Sequence, residues 1–320
     1  MAAPRRDTRG IVDAAELFAR VRFRRREPAA PLRPYLEHYW LIDWDLSEPY
    51  ASHVVPHPSV NIVFQRYDGG AGEPDGASGA DGASGASGAD GVPGADGAGG
   101  AAGRPFGELA GIGLELFTQK LAGRGRVCGI QFRPGGFRPF APRHPVSHWT
   151  GRRLRFTDAP GLFPHADPAA VLTPDDEDAR VAALDAFLLA LDPRPDPQAR
   201  LAMALVDHVR ADRTVRRVAD LARTGGLSVR RLQRLFAAYV GVSPKWVILR
   251  YRIHEALEHA ETGTGTDWAA LAADLGYADQ AHLVRDFTRT VGVPPTAYAS
   301  NPAAAGATAP GGGTRGPARR

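Results

Sequence analysis

Between Thr214 and Tyr298 a helix-breaker-helix pattern occurs twice, which confines this part of the chain to small, tightly turned helical units. In the first copy Val218, Leu221 and Ala222 recur at helical spacing, Gly225-Gly226 stops that run, and Ser228 is a good N-cap for the next one. The second helix of the copy places Leu232, Leu235, Phe236 and Tyr239 three, four and seven residues apart, so one stripe packs inward. Its opposite face carries Arg230, Gln233 and Arg234. The second copy runs from Trp268 to Tyr277 and then from Ala278 to Phe287, and Ala272 precedes Gly276 by four residues as Ala222 precedes Gly226. There Leu283, Phe287 and Val291 form the inward stripe at four-residue steps, leaving Gln280, Ala281, His282 and Arg285 outward or flanking.

Guanidinium and carboxamide groups make bidentate hydrogen bonds to guanine and adenine edges in the major groove. For a single amphipathic helix a solvated basic face is the preferred reading. The turn chemistry and the second copy reverse that preference and point to a chain that reads duplex DNA. Between the copies, Ser243 as N-cap and Pro244 at the first position open a longer helix that continues to about Ala260. It is too apolar for a free linker, so it is expected to pack against both units and to fix their separation. Charge divides the two copies: residues 214–252 hold nine basic residues against Asp220 alone, and residues 253–300 hold Arg285 and Arg289 against seven acidic residues. Because phosphate neutralisation drives affinity, the first unit is expected to anchor and the second to modulate.

These residues carry a family resemblance. The segment from about Ala199 to Ala299 resembles the DNA-binding domain of the AraC/XylS family of bacterial transcription regulators, through Leu227-Ser228, Leu232-Gln233-Arg234-Leu235-Phe236, Gly241-Val242-Ser243-Pro244, and Leu275-Gly276-Tyr277 through Arg285-Asp286-Phe287. The resemblance implies seven helices forming two helix-turn-helix subdomains joined by a long helix. It also implies that Arg230, Gln233, Arg234, His282 and Arg285 face DNA, and Gln280, outward or flanking on the same helix as Arg285, joins them as a candidate DNA-binding residue. Three positions of the second subdomain depart from the family pattern. Ala278 stands where a serine N-cap is frequent, with Asp279 available as a substitute, Ala281 where serine is common, and Leu283 where phenylalanine is usual.

At 320 residues the chain holds about two domains. Its net charge of +4 is too mild to identify a nucleic-acid partner by itself. The single cysteine excludes intrachain disulfides and cysteine-only metal clusters. Met1-Ala2-Ala3-Pro4-Arg5-Arg6-Asp7 leads into no apolar run, and no stretch of about 18 apolar residues occurs. Secretion and membrane spanning are therefore not expected, and a cytoplasmic, nucleoid-associated location is. Residues 1–10 read as a flexible N-terminus and 300–320 as a disordered tail. Asp68 to Gly103 is a Gly/Ala/Asp/Ser insert lacking the side chains for a core, and it reads as disordered.

On either side of the insert lie strand-like runs, Val60–Gln65, Gly111–Phe117 and Arg126–Phe132. The expected fold is α+β and multidomain: a β-rich regulatory unit over 11–165, a connecting helix and Pro-rich linker over 166–198, and an all-α DNA-binding domain with two helix-turn-helix subdomains over 199–299. The β-rich unit resembles the N-terminal regulatory domain of one AraC-like subgroup, through Pro34–Trp40, Val55-Pro56-His57-Pro58 and Phe132–Phe137. Trp40, Trp44 and His57 are the candidate effector-binding residues, although aromatics in a β core are commonly structural. His38, His53 and His57 invite a metal reading, but without a His-x-His pair or a companion carboxylate no metal site is assigned. Cys128 sits in an apolar run and reads as a buried structural thiol. No nucleophile motif or phosphate loop appears, so neither catalytic residues nor a cofactor are assigned.

The connecting helix, with Val181, Leu184, Leu188 and Leu191 at helical spacing, serves either a homodimer or packing on its own sensor unit. The reading that follows is a transcription regulator that binds promoter DNA, works with RNA polymerase, and responds to a small-molecule effector. The alternative is an enzyme or ligand-binding module with an accessory DNA-binding domain.

Overall fold

The structure, a computed structural model, describes residues 10–68, 103–262 and 266–299. The proposed flexible N-terminus, the interior of the insert and the proposed tail lie outside the described residues.

The N-terminal part is an antiparallel sheet built from β1 (Ile11–Val12), β2 (Val21–Arg26), β3 (Leu36–Val54), β4 (Asn61–Asp68), β5 (Phe106–Ala110), β6 (Phe117–Phe132) and β7 (Arg153–Arg155), with helix α1 (Ala14–Arg20) between β1 and β2. The strand order is β1-β3-β6-β4-β5-β7, and β2 adds to the same strand β3. Strand β3 is rich in the aromatic and β-branched residues that suit a pleated surface, and its long pairing with β6 shifts register between Leu46 and Tyr50. Trp40 and Trp44 lie opposite Gly129 and Gly125 of β6, where a Cβ would run into their indole rings. These two glycines are therefore fixed by the neighbouring aromatics rather than by a turn.

The expected strand over Gly111–Phe117 is not present. The alternation that suggested it is real, but the position a Cβ would take at Gly111 is filled by the backbone of Trp149, and the chain bends away with Leu114 49% exposed. The strand beside β4 is instead β5, immediately upstream.

Helices α2 (Pro168–Leu172) and α3 (Glu177–Ala190) cover one face of the sheet. Asp176 caps α3 by accepting a hydrogen bond from the Ala179 amide at 2.9 Å. Leu184 and Leu188 of α3 are fully buried, Phe187 meets Phe64 edge-on, and the Tyr39 hydroxyl donates to Asp185 at 2.7 Å. The connecting helix thus packs on its own sheet.

The C-terminal part is helical: α4 (Pro197–Ala211), α5 (Val218–Thr224), α6 (Val229–Tyr239), α7 (Pro244–Thr262), α8 (Trp268–Asp274), α9 (Gln280–Val291) and α10 (Pro295–Ala299). One continuous core joins Ile62, Phe64, Ile130 and Phe132 of the sheet to Leu221, Leu232, Phe236 and Val247 of the first helical subdomain. A second core holds Leu271, Leu283, Phe287 and Val291 together with Ile253, Ala256 and Leu257 of α7. Helix α7 contributes to both, as its apolar content required. No helix among the described residues is long and apolar enough to cross a membrane.

Candidate nucleic-acid interface

The two helix-breaker-helix units are built from the same local chemistry. Helix α5 ends on Gly226 at φ +61°, where the Leu227 amide reaches back to the Ala222 carbonyl at 2.9 Å. Helix α8 ends on Gly276 at φ +72°, and the Tyr277 amide reaches the Ala272 carbonyl at 2.9 Å. Both are six-to-one closures in which a left-handed glycine turns the chain and satisfies a terminal carbonyl. The equal Ala-to-Gly spacing in the two copies is the sequence trace of this turn.

Each following helix is capped as its sequence requires. Ser228 Oγ accepts from the Arg231 amide at 3.3 Å, and in the second unit Asp279 accepts from the His282 amide at 2.7 Å, so the acidic residue does take over the cap. Leu232, Leu235 and Phe236 on α6 and Leu283, Phe287 and Val291 on α9 are buried. Their burial turns the other side of each helix to solvent: Arg230, Arg231, Gln233 and Arg234 on α6, and Gln280, Ala281, His282 and Arg285 on α9, are all exposed. Among the described residues Arg230, Arg231, Arg234 and Arg285 make no ion pair. His282 packs edge-on to Tyr277, with its Nε2 3.9 Å from Asp286, so it is partly engaged within its own unit.

Several charges counted in the sequence are spent internally. Arg216 donates to the carbonyl of Asp274, at the C-terminal end of α8, at 2.8 Å, and Arg252 donates to the Arg216 carbonyl at 3.1 Å. Arg216 also lies beside Gly276, 2.6 Å from where a Cβ would stand, so it ties the two units together while remaining exposed. In the second unit Asp267 and Asp279 are helix caps and Asp286 is buried against Arg289. Sequence reasoning missed the role of Arg216, since nothing local distinguishes it from Arg217.

Residues 24–155 match the model of a domain of unknown function, DUF6597, and residues 221–301 match that of a helix-turn-helix domain. An AraC-like transcription regulator of Streptomyces lividans is 36% identical over 85 residues, 27% of this chain and 28% of the relative. The C-terminal segment is a helix-turn-helix domain similar to that of AraC-like regulators, and AraC-type is used for it in that sense. The chain thus spans little more than a quarter of the length of that curated relative. Among solved structures, an AraC-type transcriptional regulator from Chromobacterium violaceum is similar at 22% identity over 31% of this chain and 90% of that one, with a TM-score of 0.28. ToxT from Vibrio cholerae, solved with an unsaturated fatty acid bound, is similar at 13% identity over 82% of this chain and 94% of that one, with a TM-score of 0.38.

The AraC-type domain is docked against the sheet unit at several points. Thr150 donates to the Gly241 carbonyl at 2.8 Å, Arg210 pairs with Glu37 at 2.8 Å, and Arg133 pairs with Asp207. Arg250 of α7 is 6% exposed, stacks over Trp246 and donates to the Leu114 carbonyl at 3.3 Å. Burial, with repulsion from Arg289 added, pulls its guanidinium down to about 10, so it stays charged at neutral pH.

The candidate effector-binding residues Trp40, Trp44 and His57 lie in two separate places. His57 lies at this junction, its ring edge-on to Tyr251 and His254 of the AraC-type domain. Trp40 and Trp44 are held on the sheet face away from α3, Trp40 donating to Asn61 at 3.4 Å and Trp44 to the Ala122 carbonyl at 3.2 Å. Aromatic residues on a strand fill a core first, and these two do so. Nor do the histidines converge, since His53 pairs with Thr118 and His57 with Ser59.

Cys128 is fully buried, and burial pushes its thiol up to about 11. An alkylating reagent at neutral pH is expected to leave it unmodified in the native protein and to label it in denaturant. Rapid native labelling followed by mass spectrometry would refute the structural assignment.

Proposed function

We propose that the AraC-type domain, taken as residues 199–299, binds promoter DNA sequence-specifically by inserting α6 and α9 into successive major-groove segments, and that the chain regulates transcription. In this reading the sheet unit over 11–165, with the connecting segment 166–198, modulates binding in response to a small-molecule effector. The chain works in the cytoplasm on the nucleoid together with RNA polymerase. One observation carries the DNA assignment. The exposed face of α6 presents three arginines and a glutamine with no ion pair among the described residues, on a helix whose other face is dry. Unpaired guanidiniums release counterions on meeting phosphate and reach base edges bidentately. A homodimer would have to use a surface other than the apolar stripe of α3, which is buried on its own sheet.

The units are unequal. Arg234→Ala is expected to weaken binding roughly 10-fold, and Arg285→Ala by less. Isotherms on genomic promoter fragments, titrated over salt, measure both, and a larger loss from Arg285→Ala rejects the asymmetry. Absence of any sequence preference among the fragments counts against transcription regulation itself.

A further inference from the structure

The face of the sheet that lies under α3 becomes charged beyond the N-terminal end of that helix. Register pairs Arg22 with Asp43, Asp43 with Arg126, and Arg126 with Arg66, a charged row across four strands. The next row is Asp45, Arg124 and Asp68. Residues paired across strands project from the same face, so Arg126 and Arg66 are like charges directly opposite, an arrangement that is unfavourable without a countercharge. Together these rows floor a cleft of about 500 Å³, with Asp175 and Arg180 at its wall.

Six arginines line the cleft against four aspartates, and Arg20 and Arg22 are taken up by Glu16 and Glu177 beside it. Asp43 is already divided among Arg24, Arg126 and Arg180, and Asp175 is taken by Arg126 at 3.0 Å. Arg126 itself is saturated, donating also to the carbonyls of Leu172 and Pro174 at 2.9 Å each. Donors remain on its neighbours. Arg180 is 1% exposed, and its Nε is buried with no hydrogen-bond partner among the described residues. The Nε of Arg66 is likewise buried with none among them, and it forms an ion pair with Asp68 at 3.3 Å. Arg124 is exposed and makes no ion pair among the described residues. A buried donor without an acceptor is costly, and guanidiniums converging on one space match the oxygens of phosphate or carboxylate groups.

We propose that this cleft binds a small polyanion, a compound carrying a phosphate group or several carboxylates, through Arg66, Arg124 and Arg180. The site lies within the sheet unit, apart from the exposed face of α6, and of the expected effector residues only Trp44 borders it.

Calorimetric titration of the full chain at low ionic strength, with pyrophosphate in one arm and citrate in the other, tests this. At least one probe gives a single saturable site, and the tighter probe identifies phosphate or carboxylate as the recognised chemistry. Arg124→Ala and Arg66→Ala each weaken it roughly 10-fold, the effect expected for one charge-assisted contact. Arg234→Ala, on α6, leaves the constant unchanged, which separates this cleft from anion binding at the DNA-facing surface. Melting curves without ligand confirm that the exposed Arg124→Ala variant is folded. Absence of saturable binding by both probes, binding that survives both cleft substitutions, or loss through Arg234→Ala would each overturn the proposal.

Discussion

Replacing Asp43 by asparagine is expected to cost about 3 kcal/mol of folding stability at neutral pH, because it removes a carboxylate that faces three guanidiniums. Arg180 is the reason the effect is large. Its side chain is 2% exposed, and without Asp43 it would be a buried cation with no countercharge. Burial tends to raise the Asp43 carboxyl, but the hydrogen bonds from Arg24 and Arg126 outweigh it and hold the group below its ordinary value of 3.8. A carboxyl whose pKa is lower folded than unfolded stabilises the fold above the ordinary value and loses that contribution as pH falls through the folded one. The gap between wild type and Asp43→Asn is therefore expected in full at pH 7 and to narrow below about pH 4. Denaturant midpoints at the two pH values measure it, and a gap that is unchanged in acid would reject the ion-pair explanation.

Gly241→Ala is expected to cost about as much, roughly 3 kcal/mol, for two separable reasons. The residue follows α6 at φ +92°, where any side chain is strained. A Cβ there would also stand 2.6 Å from Ile112 Cδ1 and 2.9 Å from Val146 Cγ1, both buried side chains of the sheet unit. Gly226 supplies the control, since it has φ +61° but nothing within 4 Å of its added Cβ. Gly226→Ala should then show the backbone strain alone, about 1 kcal/mol. The excess at Gly241 measures how firmly the AraC-type domain is seated on the sheet. Equal losses at the two glycines would mean that the contact with Ile112 and Val146 contributes nothing.

The parts of the fold legible in the sequence were those written by neighbours in the chain. Gly226, Gly276, Ser228, Ser243 and Pro244 each impose a local geometry, and the apolar stripes of α6 and α9 fix which side faces out, so the outward placement of the six proposed contact residues followed. What needed distant partners was not legible. The alternation of Gly111–Phe117 reads as a strand until Trp149 is known to lie against Gly111. Arg216 reads as one more surface charge until Gly276 and the Asp274 carbonyl are beside it. The same holds for His57, whose neighbours Tyr251 and His254 lie nearly two hundred residues further on. The charged cleft was not legible either, because its arginines come from α1, β2, β4, β6 and α3 and only the folded sheet sets them side by side.

Helix α7 is a single run of 19 residues, with Val247, Ile248 and Tyr251 sunk in one core and Ile253, Ala256 and Leu257 in the other. Such a shaft resists torsion as well as bending, since turning one unit about its axis against the other would break backbone hydrogen bonds or expose one of the cores. Duplex DNA rotates by about 35° per base pair. An extra base pair between the segments met by α6 and α9 would therefore turn one against the other by that angle. Inserting a single base pair between the two contacted segments should cost the second contact outright rather than weaken it gradually.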